Sequence, residues 1–349
     1  MELQIAKECL DDIIKKGRVH LYKPIQIAEI LYHDRIDSLD LADLSTYMNA
    51  SGAWRDVVTK QITGNTCSSS QKFQQDLFRA VNPEALIALS DFNKENEGLV
   101  EAYIYNAYRT RLEQLKSASM FIKSGTPETF KLKDLLDSFW KEPGLKRSID
   151  KVYEIVVYAL FSVLIEALEV SIEVGYNYNE KGELLKEFED FSNGVIGLSE
   201  DISSYITKAN IYRVGVTNAA DRGLDMWGNF GISIQIKHLS LSEELAESIV
   251  GQVTNDRIII VCRDSEEKVI KSLLVQLGWK ARIQSIIVES QLIDWYEKAM
   301  RGRFKDILGN SILSRLSNEM NLEFPATKNE NIVPFITERG YQNIDISKW

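Results

Sequence analysis

Leu224–His238 reads LDMWGNFGISIQIKH, two apolar runs joined by Gly228, Asn229, Phe230 and Gly231. A short glycine-bounded turn between such runs predicts a β-hairpin. With Asn229-Phe230-Gly231 as a three-residue loop, Gly231 supplies the left-handed backbone that such a loop needs. The pairing follows: Gly228 faces Ile232, Trp227 faces Ser233, Met226 faces Ile234 and Asp225 faces Gln235. Directly opposed residues share a face, their Cβ atoms roughly 4.5–5.5 Å apart. Lys237, two residues beyond Gln235, lies on that face as well. Met226, Ile232, Ile234 and Ile236 fall on the other. One face is expected to be core, and the other to gather an acid, an amide and an amine. Everything depends on the loop length, because a one-residue slip turns Gln235 and Lys237 away from Asp225.

A carboxylate oxygen and an amide oxygen are hard ligands suited to Mg²⁺, which takes a few protein oxygens and keeps several waters. The backbone carbonyl of Ile236 adds another. Lys237 is a cation able to orient a water beside a phosphate or to stabilise charge in a transition state. These parts suit phosphodiester hydrolysis. The plainer reading is an exposed Asp–Lys pair across a hairpin, worth well under ~1 kcal/mol. Chemistry is favoured by the setting: the strings sit on adjacent strands, share a face and are followed by the elements of an α/β core.

Those elements follow in order. NIYRVGVTN from residue 210 reads as a strand, SEELAESIVGQV as a helix, and RIIIVCRD as a fully buried strand. EEKVIKSLLVQLGW is helical and QSIIVES is another strand, with helices at 291–301 and 303–320 and an irregular chain from 324. The expected fold class is α/β, a mixed sheet with an antiparallel hairpin at one side and parallel crossovers at the other. Upstream, an apolar helix is expected over 150–174, then an acidic helix in GELLKEFEDF. Residues 3–123 carry apolar positions at helical spacing, interrupted at Gly17, Pro24 and GNTCSSSQKFQ (64–74). KEPGLKRS (141–148) is the natural boundary. The expected domains are 1–147, helical and suited to DNA recognition; 148–323, catalytic; and 324–349, a tail.

The composition supports this frame. Of 349 residues, 44% are apolar and 26% charged, a globular balance. The most apolar stretch, Tyr153–Val174, is interrupted by Glu154, Glu166, Glu169 and Glu173, and its uncharged part (155–165) is too short to span a bilayer. The N-terminus lacks the pattern of a secretory signal. Cys9, Cys67 and Cys262 are widely spaced, without a CxxC pair, so a reducing cytoplasm is the expected setting. His20, His33 and His238 have no metal-binding spacing, and GxxxxGK[ST], GxGxxG and GxSxG motifs are missing. Net charge is −10, yet residues 151–200 hold 3 basic against 10 acidic side chains, and the rest is nearly balanced. A local basic cleft for DNA is compatible with that distribution.

At the hairpin the chain resembles the PD-(D/E)xK nuclease superfamily. Residues 210–290 look like its αβββαβ core, with Asp225 as the first acid and Gln235-Ile236-Lys237 in place of (D/E)xK. The sequence departs from the common pattern twice: no proline precedes Asp225, and glutamine replaces the second acid. Glutamine there is a variant seen in Mrr-like nucleases and removes one negative charge at a metal. Asp221, Glu166 and Glu169 are the nearby acids weighed to compensate for it. More specifically, VHLYKPIQIAEILYHDR (19–35), GNTCSSSQKFQQDLF (64–78) and GLDMWGNFGISIQIKH (223–238) are similar to HaeII-type type II restriction endonucleases. The resemblance implies a Mg²⁺-dependent enzyme, a homodimer or similar assembly, that cuts both strands of double-stranded DNA at a short palindrome with a GCGC core. A cognate DNA methyltransferase would protect the host.

For DNA contact, Arg55, Lys60, Asn65, Ser68, Ser69, Ser70, Gln71 and Lys72 offer cations to phosphates and hydrogen-bonding tips to base edges, although glycine, asparagine and serine also make plain turns. His20, Tyr22 and Lys23 are weaker candidates. Arg222 beside the site is suited to a phosphate, and Trp227 lies on the face of Asp225. Other readings are a repair or methylation-dependent nuclease, a DNA-binding protein that has lost catalysis, and a helical interaction protein.

Overall fold

The computed structural model describes residues 1–67, 70–214, 224–237, 257–276, 283–328 and 331–349, with the backbone alone at 178–179, 237 and 273–276. The chain divides into two compact units. The first comprises Met1–Gly125, Phe130–Val152 and Ser317–Trp349; the second comprises Thr126–Thr129 and Tyr153–Leu316. No helix among the described residues is long and apolar enough to cross a membrane.

The first unit holds seven helices in succession: α1 (Leu3–Lys16), α2 (Tyr22–Asp37), α3 (Leu44–Thr63), α4 (Gln71–Ala80), α5 (Pro83–Glu95), α6 (Leu99–Ser124) and α7 (Leu132–Lys141). Local chemistry sets their ends. Asp43, Ser70 and Asn82 cap α3, α4 and α5 with side-chain oxygens, and Pro83 opens α5. The core between them includes Leu10, Ile27, Ile30, Tyr47, Leu86, Tyr105 and Tyr108. Where irregular chain was expected beyond 324, a helix forms over Ile332–Glu338, and its Ile332, Phe335 and Ile336 join this core together with Tyr341. Pro334 lies in its first turn, where a missing N–H costs nothing.

Buried polar groups tie this terminal segment down. Glu101 accepts hydrogen bonds from Arg35 (2.9 and 2.8 Å), Asn93 (2.6 Å) and the Tyr341 hydroxyl (2.6 Å). Glu29 accepts from the Tyr105 hydroxyl (2.5 Å) and Arg339 (3.1 Å). Burial pushes the Glu29 carboxyl above its ordinary range, and the Arg339 charge opposes that rise.

Helix α8 (Ile149–Ala167) leads into the second unit. It ends earlier than its apolar composition suggests. Glu169 takes a left-handed backbone (φ 51°), and Val170 to Gly175 then alternate apolar and polar residues, the period of a strand. Strand β1 (Ser171–Gly175) pairs antiparallel with β2 (Ser204–Lys208), and between them lies α9 (Tyr178–Glu187).

A second, five-stranded sheet contains β3 (Ile211–Arg213), β4 (Met226–Gly228), β5 (Ile232–Lys237), β6 (Arg257–Cys262) and β7 (Ile283–Val288), in that spatial order. The pairs β3–β4 and β4–β5 are antiparallel, and β5–β6 and β6–β7 are parallel. The mixed α/β class and the placing of hairpin and crossovers agree with the sequence reading. Helix α10 (Glu267–Gln276) links the last two strands, and α11 (Glu289–Arg301) and α12 (Lys305–Glu323) follow. The helix expected over 242–253 lies outside the described residues.

Candidate active site

The hairpin forms in the expected register, Gly228↔Ile232, Trp227↔Ser233 and Met226↔Ile234. Gly231 has φ 87°, and its N–H donates to the Gly228 carbonyl at 3.0 Å, closing the three-residue loop. At Gly228 an added Cβ would stand 2.8 Å from the Phe230 ring and 2.9 Å from the Ile232 side chain, so the turn needs glycine there too. Asn229 fastens the loop. Its Oδ1 accepts from Asn210 N–H at 2.8 Å, and its Nδ2 donates to the Lys208 carbonyl at 2.9 Å.

One step beyond the last paired residues, the ladder changes character. The Ile236 N–H donates to Asp225 Oδ2 at 2.7 Å, so a side-chain carboxylate bonds β5 where the strand pairing of β4 has stopped. Asp225 is half-buried, and its own carbonyl accepts from Val214 N–H at 3.0 Å. Two bonds therefore fix its backbone and its side chain relative to the neighbouring strands.

Gln235 departs from expectation. The polar face is not open: Ser233 and Gln235 are fully buried. On β6, Ile258, Ile260 and Cys262 stand opposite Ser233, Gln235 and Lys237, and they form an apolar cluster with Ile270 of α10 and Val288 of β7. The crossover elements cover the face that an isolated hairpin would expose. Among the described residues, neither Oε1 nor Nε2 of Gln235 has a hydrogen-bond partner. An unsatisfied buried amide costs on the order of 1–3 kcal/mol and calls for a reason.

Lys237 occupies β5 two residues beyond Gln235, opposite Cys262, and its side chain lies outside the described residues. Asp221 and Arg222 lie outside them too. Of the other acids weighed as substitutes, Glu166 holds Arg315 through both oxygens (2.7 and 3.0 Å), and Glu169 is exposed past the end of α8. No group of three or more His, Cys, Asp or Glu side chains suited to a metal occurs among the described residues. The oxygen set on hand is Asp225, Gln235 and the Ile236 carbonyl. A hard divalent cation that keeps much of its water fits such a set, and the unpartnered Gln235 amide is the observation that favours it.

Sequence reasoning missed two neighbours. Glu154 of α8 and Arg213 of β3 form an ion pair at 3.7 Å, each side chain under a tenth exposed. A lone acid in an otherwise apolar helical run was the available signal. On the Asp225 face, Trp227 stacks on Tyr212 with centroids 4.6 Å apart, both rings about two-fifths exposed. Trp227 thus borders the site as a partly open aromatic surface.

In the helical unit the proposed DNA-reading residues separate. Arg55 is fully buried, so its guanidinium is not presented to solvent. Its guanidinium donates to Asp56 (2.9 and 2.6 Å), Gln26 (3.0 Å) and the Cys67 carbonyl (3.0 Å), which anchors the start of the 64–74 loop. Lys60, Asn65, Gln71 and Lys72 are exposed. Ser70 is exposed and caps α4 by accepting from Phe73 N–H at 3.1 Å, while Ser68 and Ser69 lie outside the described residues. Lys23 sits over the Phe73 ring at 5.1 Å. His20 is pushed down to about 4 by burial and then by the Arg18 charge, so it is neutral at physiological pH and offers phosphates no cation.

A profile of the HaeII restriction endonuclease family matches residues 6–341, nearly the whole chain. The chain belongs to the HaeII restriction endonuclease family. Among relatives, the type II restriction enzyme HaeII of Haemophilus aegyptius is 54% identical over 351 aligned positions, covering 99% of each chain. The type II restriction enzyme NgoBI of Neisseria gonorrhoeae is 49% identical, covering 98% of this chain and 97% of its own. No solved structure matches the chain significantly. The family profile spans both units, so the helical unit and the sheet unit alike belong to the HaeII family architecture.

Proposed function

We propose that this type II restriction endonuclease hydrolyses double-stranded DNA at a short palindromic site with a GCGC core, using Mg²⁺ and a PD-(D/E)xK-like site made of Asp225, Gln235 and Lys237. The observation that carries the reading is the Asp225 carboxylate bonded to the Ile236 N–H at 2.7 Å, next to a buried Gln235 amide that has no partner among the described residues. Asp225, the Gln235 amide oxygen and the Ile236 carbonyl would hold the metal, which when bound neutralises phosphate charge and makes water more acidic. Lys237 supplies the cation that orients the attacking water and stabilises the charge that develops on phosphorus oxygens. Water attacks in line, the bond to the 3′ oxygen breaks, and a 5′ phosphate remains. Asp225, fastened at two points, holds its oxygens for this step without reorganisation.

Exposed Lys60, Asn65, Ser70, Gln71 and Lys72, with Ser68, Ser69 and Arg222, are proposed to meet DNA, and Arg55 to position their loop. The domain roles follow: the 1–147 segment reads DNA, 148–323 carries catalysis, and the active form is a homodimer paired in the cell with a methyltransferase of the same site.

The test is incubation of purified protein with unmethylated phage DNA, with Mg²⁺ or EDTA, beside Asp225→Ala and Lys237→Ala. Discrete fragments that require Mg²⁺ and vanish in both variants are expected, with a loss of at least about 100-fold in rate. Intact DNA with every divalent metal tried, and gel-shift binding unchanged in the variants, would sink the catalytic reading.

A further inference from the structure

Residues 168–208 contain the densest run of exposed large apolar side chains among the described residues, including Leu168, Phe188, Phe191, Val195, Ile202 and Ile206. Every residue of β2 is exposed, and among the described residues no strand pairs with its other edge. A two-stranded sheet is marginal in water by itself, and an open apolar edge is a template for another strand. Exposed apolar side chains in such number mark an interaction surface.

We propose that this β1–β2 arm is the surface through which two copies of the chain associate, by antiparallel pairing of β2 with β2 of the second copy about a two-fold axis at Ile206. Charge argues against DNA as the occupant. The segment carries nine acids against Lys181, Lys186 and Lys208, so it repels phosphates. The need for a second copy rests on the reading above, since one site cuts one strand and a palindrome presents two.

Backbone parity selects the edge. Tyr176 N–H donates to the Ser203 carbonyl, and Ala209 N–H to the Val170 carbonyl, so the odd-numbered residues of β2 bond to β1. Ser204, Ile206 and Lys208 therefore direct their backbone groups to the open side. The Lys208 carbonyl accepts from Asn229 at 2.9 Å and from Asn210 at 3.3 Å, so at that end the edge pairs through the Lys208 N–H alone. Pairing centred on Ile206 sets Ile206 against Ile206 of the second copy, apolar on apolar, with Ser204 against Lys208. The same operation on the outer edge of β1 would set Glu173 against its own copy, a like-charge pair that is destabilising. A self-complementary contact of this kind is what a two-fold dimer requires.

Sedimentation of the full chain without DNA or metal tests the arm separately from cleavage, so failure of the nuclease reading and failure of this one are told apart. The wild type is expected to be a dimer at micromolar concentration. Ile206→Pro removes an N–H that β1 does not use. It is expected to weaken the dimer about 100-fold, with circular dichroism unchanged. Ile206→Cys guards against a variant that fails to fold. Central pairs lie about 5.5 Å apart at Cα, within disulfide reach, so mild oxidation should yield a covalent dimer that oxidised wild type does not form. A wild-type monomer overturns the proposal. So does a dimer that Ile206→Pro leaves intact and Ile206→Cys does not cross-link. Unchanged sedimentation with weakened DNA binding in Ile206→Pro overturns it in favour of a DNA contact.

Discussion

Gln235 is a polar side chain kept at a fully buried position without a partner among the described residues, next to the carboxylate that bonds the adjacent strand. Stability and function should therefore respond in opposite directions to its removal. Gln235→Met keeps the volume and deletes the unsatisfied amide, so unfolding free energy should rise by roughly 1–3 kcal/mol while Mg²⁺-dependent cleavage collapses. A denaturant midpoint that falls, or cleavage that survives, would remove Gln235 from the site. His20 provides a second residue-scale expectation. Its imidazole protonates near 6.5 in the unfolded chain and at about 4 in the folded one. Its contribution is thus complete above pH 6.5 and is lost as pH falls from there toward 4, because the unfolded state binds the extra proton. Urea unfolding at several pH values between 7 and 4 should show a steeper decline in the wild type than in His20→Gln; parallel curves would refute the assignment.

At the scale of the element, the β4–β5 hairpin controls what the site contains. Its register was legible in the spelling GNFG, because glycine at positive φ and a three-residue loop leave one pairing that keeps Met226, Ile234 and Ile236 together in the core. One alanine inserted between Asn229 and Phe230 is expected to shift β5 by one residue, turn Gln235 out of place and abolish cleavage, with helical circular dichroism retained in the helical unit. Wild-type cleavage by that insertion variant would mean that the hairpin does not set the site. The burial of the Gln235 face was not legible in the hairpin. Alternation along β5 separates two faces but does not say which elements will cover each, and the cover comes from β6, α10 and β7, more than twenty residues away. Helix α8 was similarly misjudged in length, since the alternation over 170–175 that marks the following strand is too short to stand out from the apolar run before it.

For the whole molecule, the last eighteen residues matter more than their composition suggests. Tyr341 stacks on Tyr105, with centroids 5.6 Å apart, and donates its hydroxyl to the buried Glu101. Tyr341→Phe leaves the stack and removes one donor from a buried carboxylate, which should cost about 1–3 kcal/mol in chemical unfolding. A change below the error of the measurement would show that Arg35 and Asn93 alone satisfy Glu101. Such ties explain why a segment that looks like a loose tail belongs to the helical unit.

Family membership, the mixed α/β class and the register of the β4–β5 hairpin were legible in the sequence alone, because each rests on local periods, turn chemistry or contiguous motifs. Tertiary structure alone decided that Arg55 is buried with its guanidinium bonded inside the helical unit, that Gln235 is fully buried on a strand beside an apolar cluster, and that the C-terminal helix joins the N-terminal core. Those outcomes depend on which surfaces meet across long stretches of chain. A guanidinium or amide has the same chemistry in sequence whether it faces water or a carbonyl, and only packing removes the water.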